Sequence, residues 1–346
     1  MLSRELGCQA AYTPMFHAAN FASSKKYRQK NFSTCPEDRP LFVQFCSNNA
    51  DTLMSAAKHV ENDCDSIDIN LGCPQEIARR GHYGAFLQDD WNLISEMVSR
   101  LRNNVDNDLG VSCKIRRFDQ VERTIEYARM LEKTGCTFIG IHGRTREQRG
   151  CRTGLADWDF IKAVKSSVNI PVIANGNIQS LTDAKSCLEY TKADAVMTAE
   201  GNLYNPALFL NIHPPAWTMA KKYLDYVKQY PIPAGMAKSH IFKLFHRCVA
   251  QEENADLRAR LGQSTDLDHL YNVVECFRAK YETTNDGECN QSIAITVQPV
   301  PPYLCQPRYR YNENILEVGE KREQIASCSE EILTDCAKKR IKLTAG

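Results

Sequence analysis

Cys73 closes the stretch SIDINLGCPQ, residues 66–75, with Asn70 three positions before it and Gly72 and Pro74 on either side. A thiol can donate a proton or act as a nucleophile, an amide can orient a partner, and Gly and Pro fix the backbone that carries the thiol. Residues 66–70 alternate polar and apolar in a β-branched context, which predicts a buried strand stopped by Gly72 and Pro74. Cys73 then lies on a loop at a strand's C-terminal end, where folds of parallel strands gather their chemistry. A buried structural cysteine is the other reading, and the ordinary one in a chain with 15 cysteines. Asn70, Gly72 and Pro74 favour the functional one.

The ends of the other apolar runs carry polar residues too. Gln44 lies in the run 41–45, Lys114 in 111–115, with Arg116 just after it, and His142 ends 137–142, with Arg144 following. Asn175, Gly176 and Asn177 follow 170–174, and Ala199, Glu200 and Gly201 follow 194–198. Each has an ordinary explanation alone. Gln44 or Asn175 could satisfy backbone groups, Lys114 could pair with an interior carboxylate, and His142 could be a hydrogen-bonded core residue. Together, on consecutive strands, they define one rim. A lysine and an arginine hold a phosphate, and glycines let backbone N–H groups approach it. In barrels of parallel strands the last two strand-to-helix loops are the habitual phosphate site. Residues 175–177 and 199–201 are therefore expected at the phosphate end of a nucleotide-like cofactor, with Gln44, Lys114 and His142 toward its ring. The cysteines show no paired spacing that would suggest a metal.

Such a rim needs a scaffold that converges strand ends. Apolar runs at 11–15, 41–45, 66–70, 111–115, 137–142, 170–174 and 194–198 alternate with helix-period stretches at 50–62, 91–105, 121–134 and 181–190. That order predicts βα units and a parallel sheet. Seven strands fall one short of a closed barrel. Residues 1–7 read as the end of a helix stopped by Gly7, the tail of a βα unit whose strand would lie before Met1. The expected fold over residues 1–215 is a TIM (β/α)8 barrel lacking its first strand, open unless another segment fills the gap.

From residue 216 the strands stop. Helical stretches at 216–230, 235–251, 254–261 and 266–281, broken at 230–233, at Glu252 and Glu253, and at Gly262 and Gln263, predict a small bundle over 216–281. Ten basic against seven acidic side chains leave that segment at +3, whereas 43 Lys+Arg and 42 Asp+Glu leave the 346-residue chain at +1. No global charge footprint for nucleic acid exists, but a local one does. Tyr223, Tyr226, Phe242, Phe245 and His246 lie among the basic residues; their helical spacing also fits a core. Residues 282–346 lose periodicity and are expected as a Pro-rich extended segment and a mostly disordered tail. The cluster KKRIK at 338–342 reads as a solvated terminus, a nuclear address or an RNA contact. Scattered cysteines fit a reducing cytoplasmic or nuclear compartment. No apolar run approaches the roughly 20 residues of a membrane span, and the first residues lack the apolar core of a secretory signal.

The motifs at these positions resemble the tRNA-dihydrouridine synthases, most closely the eukaryotic (16/17) branch. They are YTPMFHA (12–18), DRPLFVQFC (38–46), DINLGCPQ (68–75), GAFL (84–87), CKIR (113–116), IHGRTREQ (141–148), IANGNI (173–178) and AEGNLYNPALF (199–209), a resemblance over roughly residues 1–310. The family's first-strand Ala-Pro-Met motif has no counterpart; Pro14 and Met15 belong to the next strand. The resemblance implies FMN-dependent reduction of specific uridines in the tRNA D-loop to 5,6-dihydrouridine, with NADPH or NADH as reductant. It implies Cys73 as the proton donor and Gln44, Lys114, His142, Asn175, Gly176, Asn177, Ala199, Glu200 and Gly201 as FMN positions. Asn70, Arg116 and Arg144 become substrate contacts, no metal is used, and the helical bundle holds tRNA. The implied protein is a monomer with no DNA or membrane partner.

The physical reading agrees. Hydride transfer lies beyond side chains, so a cofactor must carry it. A thiol of ordinary pKa, about 8.5, keeps its proton near neutrality. A base stacked in folded RNA must be turned out to reach a barrel mouth. Two other readings stand beside this one: a non-catalytic tRNA-binding protein without flavin, and a flavin barrel acting on a free pyrimidine or dihydroorotate, which the basic bundle disfavours.

Overall fold

The computed structural model describes residues 1–150, 153–282 and 300–308. Its strands are β1 (Ala11–Tyr12), β2 (Phe16–His17), β3 (Leu41–Cys46), β4 (Ser66–Leu71), β5 (Gly110–Arg116), β6 (Phe138–His142), β7 (Val172–Asn175) and β8 (Ala195–Met197). All pair in parallel in the order β1-β3-β4-β5-β6-β7-β8, with β2 also on β3. Because β1 and β2 both pair with β3, at Ala11↔Leu41 and Phe16↔Phe45, they are two pieces of one strand broken at residues 13–15. The strand expected over 11–15 is thus interrupted where Pro14 cannot donate to the ladder.

Two-residue alternation builds the layers. Along β4, Ile67, Ile69 and Leu71 are fully buried on one face and Ser66, Asp68 and Asn70 take the other; along β5, Val111, Cys113 and Ile115 repeat the first set and Ser112, Lys114 and Arg116 the second. The apolar face packs under the helices Ala50–Ala57, Trp91–Arg102, Val121–Lys133, Trp158–Lys165 and Leu181–Thr191, which add Leu53, Ile94, Leu131, Ile161 and Cys187 to the same core. Four of these helices start on the side-chain caps that their sequences supply: Asn49, Asp90, Asp157 and Ser180 each accept a first-turn N–H.

The other face curls into a lumen. Phe42 on β3 and Phe138 on β6 are separated by two strands, yet their ring centroids lie 5.0 Å apart, and Tyr12 meets Phe42 edge-on at 5.0 Å. These three rings floor the lumen at the strands' N-terminal ends. The result is a TIM barrel open at one strand position: among the described residues no strand joins β8 to β1.

A second apolar core joins Trp217, Leu224, Ile241, Phe245, Leu261, Val274 and Phe277 of the C-terminal helices. The helix Leu2–Glu5 belongs to it through Leu2 and Leu6, with Gly7 turning the chain away at φ 93°. The stretch expected over 235–251 divides into Ala234–Leu244 and His246–Val249, and Ala255–Gln263 runs through Gly262, which was expected to break it. That glycine faces open space and its helix continues until Ser264.

Residues 300–308, expected within the Pro-rich extended segment, pack on this core. Leu304 bridges Pro215, Cys305 N–H donates to Pro214 O at 2.8 Å, and Tyr303 stacks near Trp217 and Tyr281. A turn at residues 302–303, with Leu304 N–H donating to Pro301 O at 3.1 Å, lies within the described part of the Pro-rich run, and Leu304 and Cys305 are buried. The KKRIK cluster lies outside the described residues. No helix among the described residues is long and apolar enough to cross a membrane.

Candidate active site

The register sets the site in tiers. Gln44, Asp68 and Ser112 stand side by side on β3, β4 and β5; one step toward the mouth, Asn70, Lys114 and Gly140 do the same; at the top come Arg116, His142, Asn175 and Met197. The rim expected from strand ends is therefore one surface for Gln44, Asn70, Lys114, Arg116, His142 and Asn175.

Cys73 follows β4 directly, and its loop is held from several sides. Asn70 Oδ1 accepts the backbone N–H of Cys73 at 2.8 Å and that of Gly72 at 3.1 Å. Arg116 Nε donates to Gly72 O at 2.6 Å while its Nη1 donates to Thr145 O at 2.8 Å. Gly84, in the short turn Gly84–Phe86, lies against the Cys73 backbone, and Ala85 N–H donates to Cys73 O at 3.0 Å. Cys73 itself packs beside Cys46, Tyr83, Met15 and Phe86 and stays partly exposed. Burial pushes the neighbouring Cys46 thiol up to about 12, so it remains a thiol.

Charges in the lumen are strongly shifted by burial. Asp68 is fully enclosed; burial raises its carboxyl to about 6, against the opposing pull of hydrogen bonds from Ser112 and Gln44 and of the Lys114 charge. Lys114 is brought down to about 7 by burial and by Arg116, with Asp68 opposing. Its stem passes over Gly140, where a Cβ would stand 2.8 Å from Lys114 Cδ. Lys114 and His142 keep part of their surface open toward the mouth. Burial, followed by the charges of Lys114, Arg116 and Arg144, drives the His142 pKa far below its usual value. The ring is neutral, and since Arg144 Nη1 donates to its Nε2 at 3.0 Å, the proton sits on Nδ1.

The last two loops meet beside this wall. Arg144 Nη2 donates to Asn177 Oδ1 at 2.7 Å, Asn175 Nδ2 to Met197 O at 2.9 Å, and Thr198 Oγ1 to Ile178 O at 2.8 Å. Gly176 has φ 117°, and a Cβ there would meet Ala156 Cβ at 2.5 Å and His142 Cδ2 at 2.9 Å. Ala199 precedes the five-residue helix Glu200–Tyr204, and Gly201 packs so closely on Ile178 O that a Cβ would stand 2.6 Å away. Both glycines are thus close-packed against atoms of the neighbouring loops. A cavity of about 340 Å³ lies elsewhere, among Ser3, Cys35, Tyr223, Tyr226 and Tyr230, and none of the residues of the rim lines it.

Sequence reasoning missed Asp68, Gly84 and Tyr12 as parts of this site. Asp68 could have been found, since it is the middle polar position of an alternating strand that ends at the cysteine. Gly84 lies 11 positions past Cys73 with no spacing signal. Tyr12 reaches the lumen floor, where its buried hydroxyl has no partner among the described residues.

The bundle's basic excess is largely spent on internal contacts. Lys222 and Lys221 pair with Glu5 and Asp225, Lys238 caps Gly262 O and Ser264 O, Arg258 holds Val249 O, Arg278 pairs with Glu275 and Glu282, and Lys280 holds Glu253 O. Arg79 and Arg80 are exposed on Glu76–Arg80 beside the mouth, and Arg146 and Arg149 stand 5.5 and 6.0 Å from the Phe86 ring.

A curled sheet of parallel strands, polar within and with a tethered thiol at the mouth, defines a TIM-barrel protein. The family model described as dihydrouridine synthase (Dus) matches residues 1–290, and the chain belongs to that family. It is 43% identical over 312 residues to the tRNA-dihydrouridine(16/17) synthase (NAD(P)(+))-like protein of Mus musculus, covering 90% of this chain and 65% of the mouse protein. It is 38% identical over 351 residues to the tRNA-dihydrouridine(16/17) synthase (NAD(P)(+)) of Saccharomyces cerevisiae, covering 93% of this chain and 82% of the yeast protein. The human tRNA-dihydrouridine(20a/20b) synthase (NAD(P)+)-like protein is 36% identical over 270 residues, 78% of this chain and 84% of that one. The chain spans just under two thirds of the mouse relative's length.

Proposed function

We propose that the chain reduces a uridine of tRNA to 5,6-dihydrouridine, with Cys73 delivering a proton to C5 of the uracil. The observation that carries this reading is the Cys73 loop, pinned by Asn70, Arg116 and Gly84 at the mouth of a polar lumen. The lumen fits FMN. Lys114, neutral His142 with its Nδ1–H, and the second N–H of the Gln44 amide offer donors for a flat ring with carbonyl oxygens, and the loops of Gly176 and Gly201 would hold its phosphate. FMN, reduced by NADPH or NADH, would supply hydride to C6 of the uracil.

The protein's own share is positioning and proton delivery. The thiol S–H bond breaks as its proton goes to C5, and the thiolate left on Cys73 is reprotonated from water. Asn70, Arg116 and Arg144 would orient the base and its phosphates. The exposed Arg79 and Arg80, together with the helical bundle, would hold the RNA backbone while the base is turned out, and that contact should weaken with salt. The chain would act on tRNA in the cytoplasm or nucleus.

Among the described residues no strand joins β8 to β1, and this favours a second reading, a tRNA-binding protein without flavin. Absorbance of the purified chain separates the two. A visible flavin band, dihydrouridine formation lost in Cys73→Ala, and tRNA binding unchanged in that variant support the enzyme. A colourless chain that cannot be loaded with FMN, or equal loss of binding and turnover in Cys73→Ala, overturns it.

A further inference from the structure

We propose that Asp68 is a positioning residue for Cys73, acting through a one-way chain of hydrogen bonds that also decides which groups the lumen wall presents. The proposal rests on the reading of Cys73 given above. The chain has four links. Cys73 N–H donates to Asn70 Oδ1 at 2.8 Å, Asn70 Nδ2 to Gln44 Oε1 at 2.7 Å, and Gln44 Nε2 to Asp68 Oδ2 at 2.8 Å; Ser112 Oγ takes the remaining oxygen, Asp68 Oδ1, at 2.6 Å.

The direction of this chain follows from its ends. A backbone N–H can only donate, and an ionised carboxylate can only accept. The two amides between them have nearly the same shape when flipped, so packing alone does not choose their orientation. Only one arrangement satisfies both ends: oxygen of Asn70 toward the cysteine loop, oxygen of Gln44 toward Asn70, nitrogen of Gln44 toward Asp68. Turning either amide alone sets donor against donor or acceptor against acceptor. Asp68 is 0% exposed, so water does not take over its role.

Two consequences follow for the site. The loop carrying the thiol is held by an oxygen whose orientation is dictated two residues back on the same strand, by way of Gln44 on the neighbouring β3. In addition, the Gln44 and Asn70 oxygens both face partners within the chain, while each amide keeps one further N–H. This wall therefore selects ligands that offer an acceptor there, such as a ring carbonyl oxygen, over ligands that offer a donor.

Polarity can be tested by reversing it. Asn70→Asp converts the second link into an acceptor, which forces Gln44 to turn its nitrogen toward residue 70 and its oxygen onto the Asp68 carboxylate. Adding Asp68→Asn supplies a donor at that end and restores a consistent chain. The full-length chain carrying Asn70→Asp, Asp68→Asn, both, or Ser112→Ala would be compared by amide hydrogen exchange of the peptide containing Gly72 and Cys73. Iodoacetamide labelling of Cys73, resolved by peptide mass spectrometry, is the second readout, and both need neither flavin nor tRNA. Asn70→Asp should accelerate both at least tenfold. The double variant should return to within threefold of wild type, and Ser112→Ala should stay within twofold.

Three outcomes overturn the proposal: no change in Asn70→Asp, no rescue in the double variant, or a Ser112→Ala effect as large as that of Asn70→Asp, which would mean that buried polarity in general matters and not direction. Half-buried Cys276, packed against the second core, serves as the control for global loosening; equal acceleration there also counts against it. If the wild type forms no dihydrouridine, the proposed reaction fails while the exchange and labelling results still decide the role of Asp68.

Discussion

Gly84 lies against Cys73 so closely that no side chain fits between them: a Cβ on Gly84 would stand 2.8 Å from the Cys73 carbonyl oxygen and 3.0 Å from its Cβ. Gly84 also has φ 62°, a conformation that strains any residue with a Cβ. The thiol loop thus has a glycine behind it and Asn70 in front, and both contacts fix where the sulfur can go. Gly84→Ala should cost about 1–3 kcal/mol of stability and slow dihydrouridine formation at least tenfold while tRNA affinity holds. Denaturant unfolding and single-turnover kinetics check this; a variant matching wild type in both would show that the glycine does not constrain the cysteine.

The lumen should make stability depend on pH in two opposite ways. Lys114 has a folded pKa of about 7 against an ordinary 10.5. Between these values the unfolded chain binds more protons, so this group makes stability rise with pH. Asp68, at about 6 against 3.8, binds its proton more tightly when folded, so its contribution falls as pH rises through that range. Unfolding of the flavin-free chain at several pH values should therefore show Lys114→Met gaining most over wild type at pH 7 and below, with the gain shrinking toward pH 10. A gain that does not vary with pH would mean that the ammonium is well solvated.

Arg116 joins two loops, donating from Nε to Gly72 O and from Nη1 to Thr145 O. A lysine keeps the charge but has no planar fork to reach both carbonyls. Arg116→Lys should leave one buried acceptor unpaired, at a cost of about 1–3 kcal/mol, and raise hydrogen exchange in residues 72–75 and 143–148 together. Unchanged exchange in both segments would remove Arg116 as their link.

Leu304 is 3% exposed and bridges Pro215, the residue before the helix Ala216–Gln229, whose Trp217 belongs to the second core. Leu304→Ala should destabilise that core by about 2–5 kcal/mol, read as an earlier transition in tryptophan fluorescence. A loss much below 1 kcal/mol would mean that residues 300–308 add little to the bundle.

The sequence alone determined the local rules. Alternation at 66–71 and 110–116 sets one face of each strand apolar and the other polar, Gly72 and Pro74 end β4 at the cysteine, and strands alternating with helices require a parallel sheet. Polar residues at consecutive strand ends then predict a shared rim, because parallel strands put all those ends on one side. The tertiary structure decided what depends on pairing and curvature. Only register places Gln44 beside Asp68 and Asn70 beside Lys114, and only the sheet's curl brings Phe42 to Phe138. The docking of residues 300–308 and of Leu2 and Leu6 onto the second core was likewise invisible in the chain order. Those contacts join residues far apart in sequence, and no local periodicity encodes a partner that arrives from another part of the fold.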